Sequence, residues 1–336
     1  MFAIDRYIPK EIKDLTFNED IWIMLKKMCS DESIPHILLY GTEGSGKKTT
    51  VQMILENIYD SSINKMSNVQ YKICGSGNKP NYVDIKQSNY HLVIEPNNTN
   101  FDRYLIQEIV KKYAKYVPLN VFDSKRGFKT VVISNIDNLS YYAQTSLRRT
   151  MEKYSGTCRF IVWGRSLSKI IDPLKSRCLC IRLSAPTDTQ LLTRLIMIEG
   201  NDNIFLKHEK FREIIKKAKG NMRDALWLYE LAKRDISLNT SYDDELHHVV
   251  ELILNGDIKE LMNIRDCLYK IMVTTIDGCT IMKDIVNLLL RQKLPFKFYY
   301  NLIAIASKFN SNLARGRRDI IHLEGFIISL LASMQP

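Results

Sequence analysis

Residues Gly41-Thr-Glu-Gly44-Ser45-Gly46-Lys47-Lys48 carry the clearest chemistry in the chain. Glycines at this spacing let backbone N–H groups converge on phosphate oxygens, and the lysine after the last glycine reaches the terminal phosphates. The pattern is Gly-x-x-x-x-Gly-Lys without its final Ser or Thr, because Lys48 stands where a hydroxyl would meet Mg²⁺. A cation cannot ligate a cation, and Thr49 falls one residue late. Magnesium handling is therefore doubtful from the loop alone. A glycine-rich turn that holds no ligand is the bland alternative.

A hydrolytic phosphate loop also needs an acid after a later buried strand to hold Mg²⁺. The strand here is Val131-Val132-Ile133, and Ser134 and Asn135 follow it. Neither carries negative charge or accepts a proton at neutral pH. Asp137 comes three residues too late and reads as a surface or capping acid. The cradle is kept and the hydrolytic groups are missing.

The elements around these residues alternate. Ile37–Tyr40 is a short apolar run ending at Gly41, and Thr49–Tyr59 has Val51, Ile54, Leu55 and Ile58 at helical spacing. Strand-like segments recur at 90–96, 130–134, 159–163 and 179–183, with helical segments at 103–116 and 142–154. This alternation predicts a parallel sheet with helices on both faces. After Ala185-Pro186 only helical patterns remain: 187–199, 207–218 and 223–233, then a polar stretch at 235–244, then four or five more helices. The expected fold class is α/β, a P-loop core with a parallel sheet, then a small helical lid and an all-helical C-terminal domain. The expected boundaries are 1–184, 185–236 and 237–336. Trp163 and Trp227 read as core.

The chain of 336 residues has 48 Lys+Arg and 37 Asp+Glu, a net charge of +11. That balance suits either a soluble basic protein or one that meets a polyanion. Residues 145–182 hold nine Lys or Arg against Glu152 and Asp172, which reads as a solvated basic face or as surface shared between protein and nucleic-acid contacts. No apolar run approaches the roughly 20 residues of a membrane helix, and Met1–Lys10 lacks the pattern of a secretory signal. The seven cysteines are scattered and form no Cys-x-x-Cys pair, so free thiols are expected and a zinc ribbon is not.

The segments Pro35–Gly41, Gly46–Thr49 and Ala143–Tyr154, with Ser176-Arg177-Cys178, resemble the small subunits of replication factor C, an AAA+ clamp-loader family. So do Asp5–Lys10, Gly220–Arg223 and His322–Phe326, so that the resemblance spans essentially the whole chain. It is greatest to the hydrolytically degenerate small subunit at the end of the spiral. The resemblance implies ATP or ADP on Gly41, Gly44, Ser45, Gly46, Lys47, Lys48 and Thr49, with Arg223 as a sensor-2 contact. It also implies that Arg177 is an arginine finger for a neighbour's ATP, where spacing alone leaves it a local ion-pair partner. The sensor-1 position, usually Asn, falls at Arg165. Arg103 is the helix residue assigned to DNA. Implied partners are four other clamp-loader subunits, a ring-shaped sliding clamp and the backbone of primer–template DNA, with no membrane. The implied compartment is the nucleus, or a cytoplasmic viral replication compartment if the source is a virus, which the richness in Ile, Lys and Asn would fit. The rival expectations are a stand-alone AAA+ ATPase acting on nucleic acid and a nucleotide-free architectural subunit.

Overall fold

The computed structural model describes residues 2–31, 34–59, 63, 65–74, 80–96, 102–115, 127–202, 205–238, 240–256, 260–273, 276–292, 295–316 and 318–334. It divides into two units, Met1–Ile236 and Ser237–Pro336.

The first unit opens with α1 (Ala3–Arg6), a 3-10 turn at Ile12–Asp14 and α2 (Glu19–Ser30). Then come β1 (His36–Tyr40), α3 (Lys47–Tyr59), β2 (Ser67–Cys74), β3 (Pro80–Gln87) and β4 (His91–Ile94). A helical stretch follows, α4 (Asp102–Tyr104) and α5 (Lys111–Lys115) joined by a π-helical segment, Leu105–Val110. Next are β5 (Lys129–Ile133), α6 (Tyr141–Lys153), β6 (Cys158–Gly164), α7 (Asp172–Lys175) and β7 (Cys178–Arg182). Three helices close the unit: α8 (Asp188–Asp202), α9 (His208–Ala218) and α10 (Met222–Lys233). Tyr116, read as the end of a helix, lies outside the described residues.

The strand order is β2-β3-β4-β5-β6-β1-β7. The five strands from β4 to β7 pair in parallel, as the alternation predicts. The sheet is mixed all the same, because β2 and β3 form an antiparallel ribbon with Val69 opposite Ile85 and Tyr71 opposite Val83, and β3 joins β4 antiparallel. Sequence reading assigned no element to 60–89. The alternating Val69-Gln-Tyr-Lys-Ile73 and Val83-Asp-Ile85 were the available strand signal.

Strand side chains alternate between faces, and the core follows. Leu38, Leu92, Val131, Ile133, Phe160 and Val162 face residues of the 105–114 helical stretch and α6, while Ile37, Leu39, Val132 and Ile161 face α2 and α3. Full burial of such a side chain contributes about 1.5–3 kcal/mol, so the central strands are the best-anchored part of this unit. Trp163 packs against the second of these clusters, half-buried. Trp227 is not core: it is 42% exposed, and its ring centroid lies 5.2 Å from that of Phe2.

The second unit holds α11 (Ser241–Asn255), α12 (Leu261–Val273), α13 (Gly278–Leu290), α14 (Phe296–Arg315) and α15 (Asp319–Met334). Thr240 caps α11, and its hydroxyl and the Asp243 carboxylate bond each other's backbone N–H. The helices bury a single cluster that includes Val249, Ile253, Leu268, Ile285, Leu302, Phe326 and Leu330. Arg265 clamps Glu324 through two N–H···O bonds of 2.6 and 3.0 Å, joining α12 to α15. Among the described residues no helix is long and apolar enough to cross a membrane.

Candidate nucleotide-binding site

The glycine loop leaves β1 at the C-terminal edge of the parallel strands and ends in α3, whose 13 residues present their N-terminus to the loop. Helix N-termini attract phosphate through unsatisfied N–H groups and the dipole. Gly44 and Gly46 have φ of +72° and +81°, a region that side chains rarely adopt. Gly41 N donates to Gly164 O at 3.4 Å, which ties the loop to the end of β6. Ser45 is buried, and its hydroxyl donates to Thr42 O at 2.8 Å, closing the turn. The Lys47 ammonium donates to the carbonyls of Gly41, at 2.7 Å, and Thr42. Partial burial lowers its pKa, and the negative charge that most opposes that shift is Glu43. These residues fit a polyphosphate: a cradle of N–H donors with one ammonium folded back on its own loop.

The metal half of the site does not fit. Lys48 is exposed at the position of the usual hydroxyl, and Thr49 is half-buried one position further on. The hydroxyl of the next residue, Thr50, is already engaged, donating to Gly46 O at 3.0 Å and accepting from Trp22 Nε1 at 3.1 Å. Ser134 is buried and donates to Ile94 O at 3.2 Å. Asn135 is exposed, in the left-handed region at φ 43°. Among the described residues no group of three or more His, Cys, Asp and Glu side chains is placed to hold a metal.

Asp137 departs from the reading of a surface or capping acid. Its Oδ2 accepts from Arg165 N at 3.2 Å, joining the segment after β5 to the segment after β6. Its Oδ1 is buried without a partner, 3.0 Å from where a Cβ on Gly164 would stand. It is also one of the charges acting on Lys47. Spacing could not reveal this, because the contact depends on β5 and β6 being neighbours.

Arg165 itself follows β6 and forms an ion pair with Glu43 of the glycine loop, both side chains being mostly exposed. Arg223 reaches the same neighbourhood. Asn221 caps α10 by accepting from Arg223 N at 3.0 Å and Asp224 N at 3.4 Å, and Gly44 packs directly on Asn221. The Arg223 charge contributes to the lowered pKa of Lys47. So the structure gathers Gly41, Gly44, Ser45, Gly46, Lys47 and Arg223, and adds Glu43, Asp137, Arg165 and Asn221.

Arg177 lies elsewhere. Its strand, β7, runs parallel to β1 with Cys178 opposite His36 and Arg182 opposite Tyr40. Arg177 therefore sits at the N-terminal edge of the sheet, about 15 Å from the cradle edge at ~3.3 Å per residue. Its guanidinium pairs with Glu152 and donates to Pro173 O at 2.8 Å. The Arg103 guanidinium lies 5.9 Å from the Tyr142 ring centroid. The basic stretch 145–182 is less free than its composition implies: Arg148, Arg165, Lys175 and Arg177 all sit in ion pairs.

Comparison with known proteins gives the family. A family profile described as replication factor C subunit 3, C-terminal domain, matches residues 247–336. One described as DNA polymerase III, delta subunit, matches residues 17–187. A putative replication factor C small subunit of Acanthamoeba polyphaga mimivirus is 40% identical over 99% of this chain and 91% of its own length. Replication factor C subunit 5 of Saccharomyces cerevisiae is 32% identical over 98% of this chain and 99% of its own. Replication factor C subunit 3 of Homo sapiens is 30% identical, covering 98% of this chain and 95% of its own. A DNA polymerase III gamma subunit-related protein of Thermotoga maritima shares the fold at TM-score 0.50 and 11% identity, over 93% of this chain and 98% of that one. With a phosphate cradle on an α/β core, a helical C-terminal unit and full-length relatives of one kind, the chain belongs to the replication factor C small-subunit family of AAA+ clamp-loader proteins.

Proposed function

We propose that this chain is a subunit of a clamp loader that holds adenine nucleotide without hydrolysing it and lends Arg177 to a neighbouring subunit's ATP. The carrying observation is the combination of a formed cradle with a disabled metal site: Gly44, Gly46 and Lys47 are arranged for phosphate, while Lys48, Ser134 and Asn135 replace the groups that hold Mg²⁺. The same combination speaks against a stand-alone ATPase. Residues 1–184 act as nucleotide core, 185–236 as lid and 237–336 as the oligomerising collar. The partners are four related subunits, a ring-shaped clamp and primer–template DNA, met through its backbone. The working compartment is the nucleus or a viral replication compartment.

The distance of Arg177 from its own cradle supports action in trans. A guanidinium at the opposite edge of the sheet is out of reach of this chain's phosphates, and its exposed pairing with Glu152 can be exchanged for another chain's phosphate. Fingers of this kind are worth roughly 10³–10⁵ in rate where measured in GTPases. The test is a reconstituted complex carrying Arg177→Ala. Assembly should survive, hydrolysis at the one facing site should collapse, and Arg177→Lys should not rescue it, since an ammonium lacks the planar fork. Normal turnover and clamp loading by the intact variant complex would leave Arg177 a partner of Glu152 and nothing more.

A further inference from the structure

The ion pair between Glu43 and Arg165 joins the glycine loop to the segment after β6 at the edge of the sheet where phosphate would enter. Three observations bear on what it does. The backbone of Arg165 is pinned, because its N–H donates to Asp137 at 3.2 Å and the preceding Gly164 carbonyl accepts from Gly41 N. Its side chain is 68% exposed and, among the described residues, is paired with Glu43, itself 57% exposed. An exposed pair of this kind is worth a factor of no more than about five in an equilibrium. A phosphate group offers more charge and a bidentate fit to the guanidinium. Exchange of partners by the Arg165 side chain is therefore favourable, and it needs no movement of the backbone.

We infer that Arg165 is a phosphate-binding residue of the cradle, parked on Glu43 until the anion arrives, and that it supplies with Lys47 the positive charge for which related sites use a metal ion. Nucleoside di- or triphosphate then binds to this chain without magnesium. The inference rests on the nucleotide-binding reading above and goes beyond it in naming the counter-charge. The donor set is consistent with it. Lys48 places another cation where the metal's hydroxyl would be, Ser134 is spent on Ile94 O, and Asp137 directs one oxygen to Arg165 N and the other toward Gly164. The charges of two guanidinium groups, Arg165 and Arg223, act on Lys47, so positive charge is already gathered at the cradle. Glu43 has two effects: it neutralises Arg165 in the empty site, and it opposes the incoming phosphate.

The experiment is calorimetric titration of the full chain with ADP and with ATP, in excess Mg²⁺ and in excess EDTA. The wild-type affinity should change by no more than about twofold between the two, while Arg165→Ala should weaken binding about 10- to 100-fold in both, the range of a hydrogen-bonded charge contact. Glu43→Gln should tighten it. Thermal melts of each variant separate a lost contact from a lost fold, and Arg165→Gln serves if the alanine variant melts early. A wild-type affinity that collapses in EDTA overturns this inference and leaves the nucleotide reading standing. Unchanged affinity in a folded Arg165 variant does the same. Absence of binding in every condition removes both.

Discussion

A Cβ added to Gly44 would stand 1.9 Å from Oδ1 of Asn221 and 2.8 Å from its Cα, so the phosphate loop and the cap of α10 touch with no room for a side chain. Gly44→Ala therefore faces two obstacles, the overlap and a φ of +72°. The variant should lose most nucleotide affinity and expose the 185–236 segment to limited proteolysis. Asn221→Ala alone should cost about 1 kcal/mol as a lost cap. Combined with Gly44→Ala it should restore little, since the overlap with the backbone of residue 221 and the positive φ both remain. Full recovery in the double variant would show that only the Asn221 amide matters.

Restoring the two acids should not restore hydrolysis. In Ser134→Asp the new carboxylate would face the Ile94 carbonyl that Ser134 now bonds, and in Asn135→Glu it would ride on a left-handed residue at φ 43°. Lys48 would still repel the metal. Phosphate release by the Ser134→Asp/Asn135→Glu variant in Mg²⁺ should stay at background, and adding Lys48→Thr should be needed before any turnover appears. A rate near about 1 s⁻¹ from the acids alone, the low end of ordinary enzymes, would contradict this account of the site.

Glu152 pairs with Arg177 and, at 3.6 Å, with Arg148. These groups are partly exposed, and such pairs are worth about 0–1 kcal/mol. Glu152→Gln should accordingly change ATP turnover of a reconstituted complex by no more than about fivefold, in contrast to Arg177→Ala. A loss as deep as that of the arginine variant would make Glu152 an essential positioning residue.

The first unit should weaken in mild acid through one buried and one half-buried imidazole. His36 and His91 are each pushed down to about 4, His36 by burial and then by the Arg159 charge, His91 by burial. Neutral His36 accepts from Phe160 N at 3.2 Å, and His91 Nδ1 shares a 2.6 Å bond with the Ser88 hydroxyl. Between their folded values and the unfolded value of roughly 6.5 the unfolded chain binds more protons, so stability falls as pH drops through that window. Each contributes a loss of about 2 kcal/mol between pH 7 and 5. Urea midpoints across that range should show the fall, and the His36→Gln/His91→Gln variant should flatten it. An equally steep fall in that variant would assign the effect to other groups.

Much of this protein was legible along the chain. Gly41, Gly44, Gly46 and Lys47 act through local backbone geometry, so their spacing alone announced a phosphate loop. The absence of acid at 134 and 135 was equally plain, because the strand before them reads as buried. The five parallel strands and most helix positions followed from periodicity; the antiparallel ribbon of β2 and β3 did not, although its strands alternate.

What the chain order could not decide is which segments meet. The first strand, β1, is inserted between β6 and β7, which brings Arg165 beside Glu43, while the pairing of β5 with β6 brings Asp137 beside Gly164. Parallel pairing of β7 with β1 likewise sets Arg177 at the edge opposite the cradle. The fold of α10 back onto the loop puts Asn221 against Gly44. Residue type and short spacing determine local conformation and charge, whereas long-range neighbours depend on strand order and the burial of both sheet faces, quantities summed over the whole core. Hence the replacement of the usual hydroxyl and acids by Lys48, Ser134 and Asn135 was written in the sequence, and the guanidinium beside the cradle became visible only in the folded chain.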